Sequence, residues 1–115
     1  GFAMSRSSDY GQSDVRRSLQ SGMPVIVWRR WSRDRDLEHQ RVSAQLDQGE
    51  DVSFSDDSSS YPDEKSPLHA SVIIGFNDQR KEVIFLESWA GQSRARRMPV
   101  SEIEATAYLT FCFHP

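Results

Sequence analysis

The stretch "HASVIIGFNDQRKEVIFLESW", residues 69–89, decides the fold. Residues 68–76 and 82–88 are rich in β-branched and aromatic side chains, and "FNDQR" between them supplies turn chemistry, so the segment predicts two antiparallel strands joined by a tight turn. It opens on His69 and closes beside Glu87. Side chains alternate along a strand, so turn length decides which residues share a side. A three-residue loop, 77–79, pairs Phe76 with Arg80 and therefore His69 with Glu87; a two- or four-residue loop changes the parity and offers Leu86 or Ser88 instead. We expect imidazole and carboxylate as neighbours at the open end of the hairpin, where a carboxylate orients the ring and favours its protonated form.

Composition bounds the rest. The chain has 115 residues, 37% hydrophobic and 27% charged, which fits one modest α+β domain and not two good cores. A net charge of −3 gives no reason to expect nucleic acid as a partner. The basic cluster Arg94, Arg96 and Arg97 reads as a solvated strand edge that resists aggregation. No apolar run approaches the ~20 residues needed to span a bilayer, and "GFAMSRSSDYG" lacks a signal-peptide core, so the chain is expected to be soluble, with no membrane role and its compartment open. One cysteine, Cys112, rules out an internal disulfide and a cysteine-based zinc site. Met4 after Gly-Phe-Ala resembles a cloning scar, and residues 1–12 are expected to be a tag remnant or flexible N-terminus ahead of a single domain over 13–115.

Within that domain, Ser13 is a candidate N-cap for a short helix that stops at Gly22. Val25 to Trp28 form an apolar run after Pro24, the pattern of a central strand covered on both faces. Residues 33–49 favour helix by propensity, with a thin stripe of Leu37, Val42 and Leu46. The Asp- and Ser-rich residues 51–65 read as an exposed acidic loop without calcium-ligand spacing. "RARRMPV" is a short edge strand, and Ser101 with Glu104 has the spacing of a capping box. "TAYLTFCF" alternates, with Ala107, Leu109, Phe111 and Phe113 expected on the core face and Tyr108, Thr110 and Cys112 on the other. Strands following an early helix predict a curled antiparallel sheet, a half-barrel, with two or three short helices.

The run "HASVIIGF…VIFLESW" resembles the His-Ala…Gly-Tyr…Asn-Ser-Trp pattern of papain-like cysteine peptidases. "LQSGMPVIVW" upstream and "MPVSEIEATAYLTF" downstream are similar to the bacterial branch that includes leader peptidases of bacteriocin exporters, and together the likeness spans roughly residues 13–113. The resemblance implies a papain-like fold in which His69 is the general base, Glu87 its orienter in place of the usual Asn or Asp, and Trp89 a shield over their contact. It also implies a cysteine at a helix N-terminus upstream of the histidine, with an oxyanion-stabilising glutamine earlier still. No cysteine precedes His69, and Gln12 and Gln20 precede no such helix.

Cys112, in the closing strand, lacks the helix N-terminus that stabilises a thiolate. Ser71 and Ser88 are hairpin residues, not nucleophiles on a strand-to-helix turn. His39 and His114 read as solvated, with no paired spacing for a metal. In "WRRW", residues 28–31, Trp28 ends the buried strand, Trp31 covers a core edge and the arginines point outward. Three functions remain open: a peptidase-type domain inert without its nucleophile, a naturally non-catalytic module that binds peptide or protein, and an unrelated structural α+β domain. No cofactor is expected. The first reading calls for a missing helical half-domain or self-association over an exposed apolar surface.

Overall fold

The computed structural model describes residues 3–87 and 94–114, with the side chain of His114 outside that description. Along the chain the elements are β1 (Ala3–Ser7), α1 (Gln12–Gln20), β2 (Val25–Arg30), α2 (Arg33–Asp47), β3 (Leu68–Asn77), β4 (Glu82–Glu87), β5 (Arg96–Pro99), α3 (Val100–Thr106) and β6 (Ala107–His114), with a short 3-10 turn at Ser58–Ser60. The strands form one open antiparallel sheet in the order β1-β6-β2-β3-β4-β5, an α+β fold. β2 to β5 run as a meander, after which α3 carries the chain back to lay β6 beside β2. The helices lie against one face, where Val15 and Ile103 join Val25, Val27, Ile73, Phe85 and Met98 in the core.

β2 is central in order but covered on one side only. Val25, Val27 and Arg29 are buried beneath the helices, while Trp28 on the other face is 41% exposed. The expectation of a doubly covered strand with outward arginines is therefore reversed at two positions: Arg29 points into the core and Trp28 out of it. The same face choice overturns the reading of β6. Thr110 and Cys112 face the helices and are buried, whereas Leu109 and Phe111 share the open face with Ile26 and Trp28. Both sides of β6 carry apolar residues, so alternation alone does not say which side is covered.

Residues 3–7, where a flexible N-terminus was expected, pair with β6 from Ala3↔His114 to Ser7↔Thr110. Their side chains are all exposed, which is why no hydrophobic pattern marks them. α1 starts at Gln12, with Gly11 rather than Ser13 at its N-cap, and Gly22 follows it at φ 82°, the left-handed conformation that glycine adopts without strain. α3 has Pro99 at its N-cap and no side-chain cap; Ser101 bonds to Tyr61 Oη at 3.0 Å instead of closing a capping box with Glu104. Nor is β5 a solvated basic edge. Arg96 is buried on Asp36 at 2.8 Å, and Arg97 approaches Glu82 at 3.8 Å.

Phe85 sits at the centre of this layer and is fully buried. Phe85→Ala is expected to lower unfolding stability by about 3–5 kcal/mol, read from urea midpoints. Removal of residues 1–7, whose described side chains bury nothing, should cost less than that.

Candidate active site

The β3–β4 turn has four residues, 78–81, closing on the pair Asn77↔Glu82, and not the three expected. Carried straight along the strands, that pairing would have put Glu87 opposite Val72, on the side of β3 away from His69. A bulge between Ile73 and Gly75 inserts one residue into β3 and restores the side-chain phase, so that Ser71 lies directly opposite Glu87. His69, two residues before Ser71, is on the same side and reaches Glu87 diagonally. The expected contact exists, through a different register: His69 Nε2 donates to Glu87 Oε2.

Glu87 is buried and has three donors. Arg29 Nη2 and Ser71 Oγ each donate to Oε1 at 2.9 Å, and His69 supplies Oε2. Arg29 Nε also donates to Ser71 Oγ at 2.9 Å, and its guanidinium lies 5.4 Å over the Phe85 ring. Arg29 is the direct partner of His69 between β2 and β3. Sequence reading missed Arg29; its signal was the buried phase of Val25 and Val27, which continues onto position 29. Burial pushes the Glu87 carboxyl up, but the His69 hydrogen bond, the Arg29 charge and the Ser71 hydroxyl outweigh it and hold the group down at about 2. At neutral pH Glu87 is therefore an ionised acceptor, and the proton between it and His69 belongs to Nε2. Nδ1 is the ring nitrogen that Glu87 does not engage.

Trp31, half-buried after β2, sets its ring 6.4 Å from His69, tilted by 56°. Trp89 and Ser88 lie outside the described residues. Ser71 is fully buried and spent on Arg29 and Glu87. Cys112 lies at the β6 position level with Val25, four residues and two strands away from His69, or about 16 Å. Burial, then the Asp14 charge, pushes its thiol pKa up, the opposite of what a nucleophile needs. Gln20 is exposed, and Gln12 lies at the far end of the hairpin, beside Asp78 and Lys81.

His39 is the other correction. It is fully buried, not solvated, with Nε2 2.9 Å from Glu102 Oε2 and its ring edge-on to Phe54 and Phe85. Arg35 joins the same carboxylate at 2.6 Å. Burial raises the Glu102 pKa, but the contacts with His39 and Arg35 more than reverse this and lower it. α2 thus buries Arg35, His39, Val42 and Ser43, while Leu37 of the expected stripe is 50% exposed. Among the described residues no group of His, Cys, Asp and Glu is placed to hold a metal ion.

A protein-family model described as the Peptidase_C39 like family matches residues 3–113, which supports a relation to the papain-like cysteine peptidases. No curated protein and no solved structure matches the chain significantly. No described helix is long and apolar enough to cross a membrane.

The depressed Glu87 pKa carries a signed pH dependence. Its contribution is full above the ordinary carboxylate range near 4.5 and is lost as pH falls from there toward about 2. A shift of that size corresponds to about 3 kcal/mol. Glu87→Gln should flatten that part of the acid limb of a stability-against-pH curve, leaving the share of Glu102. At neutral pH it should also cost about 3–5 kcal/mol, because Arg29 stays buried without its counter-charge.

Proposed function

The chain belongs to the Peptidase_C39 like family, and on that premise we propose that it is a papain-like peptidase-type domain carrying the base and its orienter, inert on its own because it lacks the nucleophile. The contact between His69 Nε2 and Glu87 Oε2 is the observation that carries this reading. It directs Nδ1 away from the carboxylate, as a general base requires. Given a thiol on another segment, Nδ1 takes the S–H proton and the thiolate adds to a peptide carbonyl. The imidazolium then protonates the leaving amine as the C–N bond breaks, and water hydrolyses the resulting thioester. The face opposite the helices exposes Trp28, Leu68 and Ile74, a surface suited to association with a helical half-domain or a second copy.

A second reading, a non-catalytic module that binds peptide or protein, is favoured by Arg29. The charge of Glu87 is already matched by a buried guanidinium, so the pair has a structural reason to exist without any reaction.

The test is reconstitution. With a cysteine-bearing helical segment of the peptidase type supplied in trans, a thiol-directed peptide electrophile should label that cysteine. His69→Ala should slow labelling by about 10²–10⁴-fold, the usual worth of a general base. Labelling that is absent, or equally fast without His69, would remove the catalytic reading and leave the binding module.

A further inference from the structure

The terminal torsion of a glutamate side chain is broad and roughly two-fold, so nothing in Glu87 itself fixes the plane in which its carboxylate meets His69. The neighbouring strands fix it. Arg29 Nη2 and Ser71 Oγ both donate to Oε1, each at 2.9 Å, and Arg29 Nε donates to Ser71 Oγ at the same distance. The three side chains close a triangle of hydrogen bonds across β2, β3 and β4. Because Ser71 Oγ accepts from Nε, its own hydrogen is aimed at Oε1. Oε2 is left to His69 Nε2.

The triangle has little freedom to rotate. Arg29 and Ser71 are buried, and the guanidinium lies over the ring of Phe85, which is buried as well. A planar guanidinium that binds through two of its nitrogens defines a direction as well as a charge; a lysine ammonium in its place would keep the charge and define no plane. The bond from Nε to Ser71 adds no charge to the pair with Glu87. What it adds is orientation, so a role as counter-ion does not exhaust what Arg29 does.

We propose that Arg29 and Ser71 are positioning residues for His69: they clamp one oxygen of Glu87 so that the other holds the imidazole in a single plane, with its proton on Nε2 and its basic lone pair on Nδ1. Both act on the imidazole through the carboxylate. That Nδ1 then serves as a base rests on the peptidase reading; the clamp itself does not.

The test is nitrogen-15 NMR of the imidazoles at alkaline pH, with the His69 signals assigned by their loss in His69→Gln. In the parent, His69 should show the Nε2–H tautomer and an Hε2 resonance protected from exchange with water. Ser71→Ala opens the triangle but leaves the charge pair of Arg29 and Glu87 in place. It should keep the parent circular dichroism spectrum, lose the protected Hε2 resonance and show the Nδ1–H tautomer beside the other. Arg29→Lys, which keeps the charge without the plane, should give the same signature. In the reconstituted peptidase each variant should slow labelling by about ten- to a hundredfold, the usual cost of a misplaced group. A parent His69 on the Nδ1–H tautomer, or parent-like signals in folded Ser71→Ala or Arg29→Lys, would overturn the proposal. The spectra need no thiol, so a reconstitution that never labels removes the peptidase reading while the clamp is still decided by NMR.

Discussion

The buried carboxylate of Glu87 sets the terms for the sheet around it. An ionised group in a low-dielectric interior is tolerable only when its lone pairs and its charge are both answered. Arg29 from β2, Ser71 and His69 from β3 and Glu87 from β4 give that answer across three adjacent strands. The bulge between Ile73 and Gly75 belongs to the same constraint, since without the extra residue a four-residue turn would aim Glu87 at the wrong side of β3. A one-residue slip of β2 would turn Arg29 onto the open face and strand the carboxylate. The register is thus specified by a charge, and not only by apolar alternation.

A second buried carboxylate repeats the device one layer up. Glu102 on α3 gathers Arg35 and His39 from α2, and Arg35 continues to Glu38 at 2.6 Å and stacks 5.1 Å over Tyr61. This explains how α2 holds its place with so little apolar surface. Its long guanidinium and imidazole side chains do the packing and satisfy their polar ends inward. His39 Nδ1 is buried with no hydrogen-bond partner among the described residues, beside the rings of Phe54 and Phe85.

The elements themselves were legible because they rest on local rules. β3 and β4 show in their β-branched content, α2 in its propensity, and the end of α1 in Gly22. His69 and Glu87 were legible as a pair because each closes one end of an apolar alternation. What the sequence could not reveal was which face of the sheet the helices would choose. Position 29 reads as an arginine in a polar run until Val25 and Val27 are known to face inward, and Cys112 reads as outward until Thr110 is found buried. The bulge is equally hidden. Its placement answers the distant Glu87, and a non-local charge leaves no mark on the residues that accommodate it.

The pairing of Arg29 with Glu87 also bears on what His69 does. In register across β2 and β3, Arg29 and His69 approach the same carboxylate from neighbouring strands. Arg29 and His69 both help to hold the carboxyl ionised, and Arg29 does so with a permanent charge. Glu87 in return fixes the ring plane and tautomer of His69. Orientation of this kind serves proton transfer and rigid recognition equally well, so the chemistry of this end of the hairpin depends on what is brought to Nδ1.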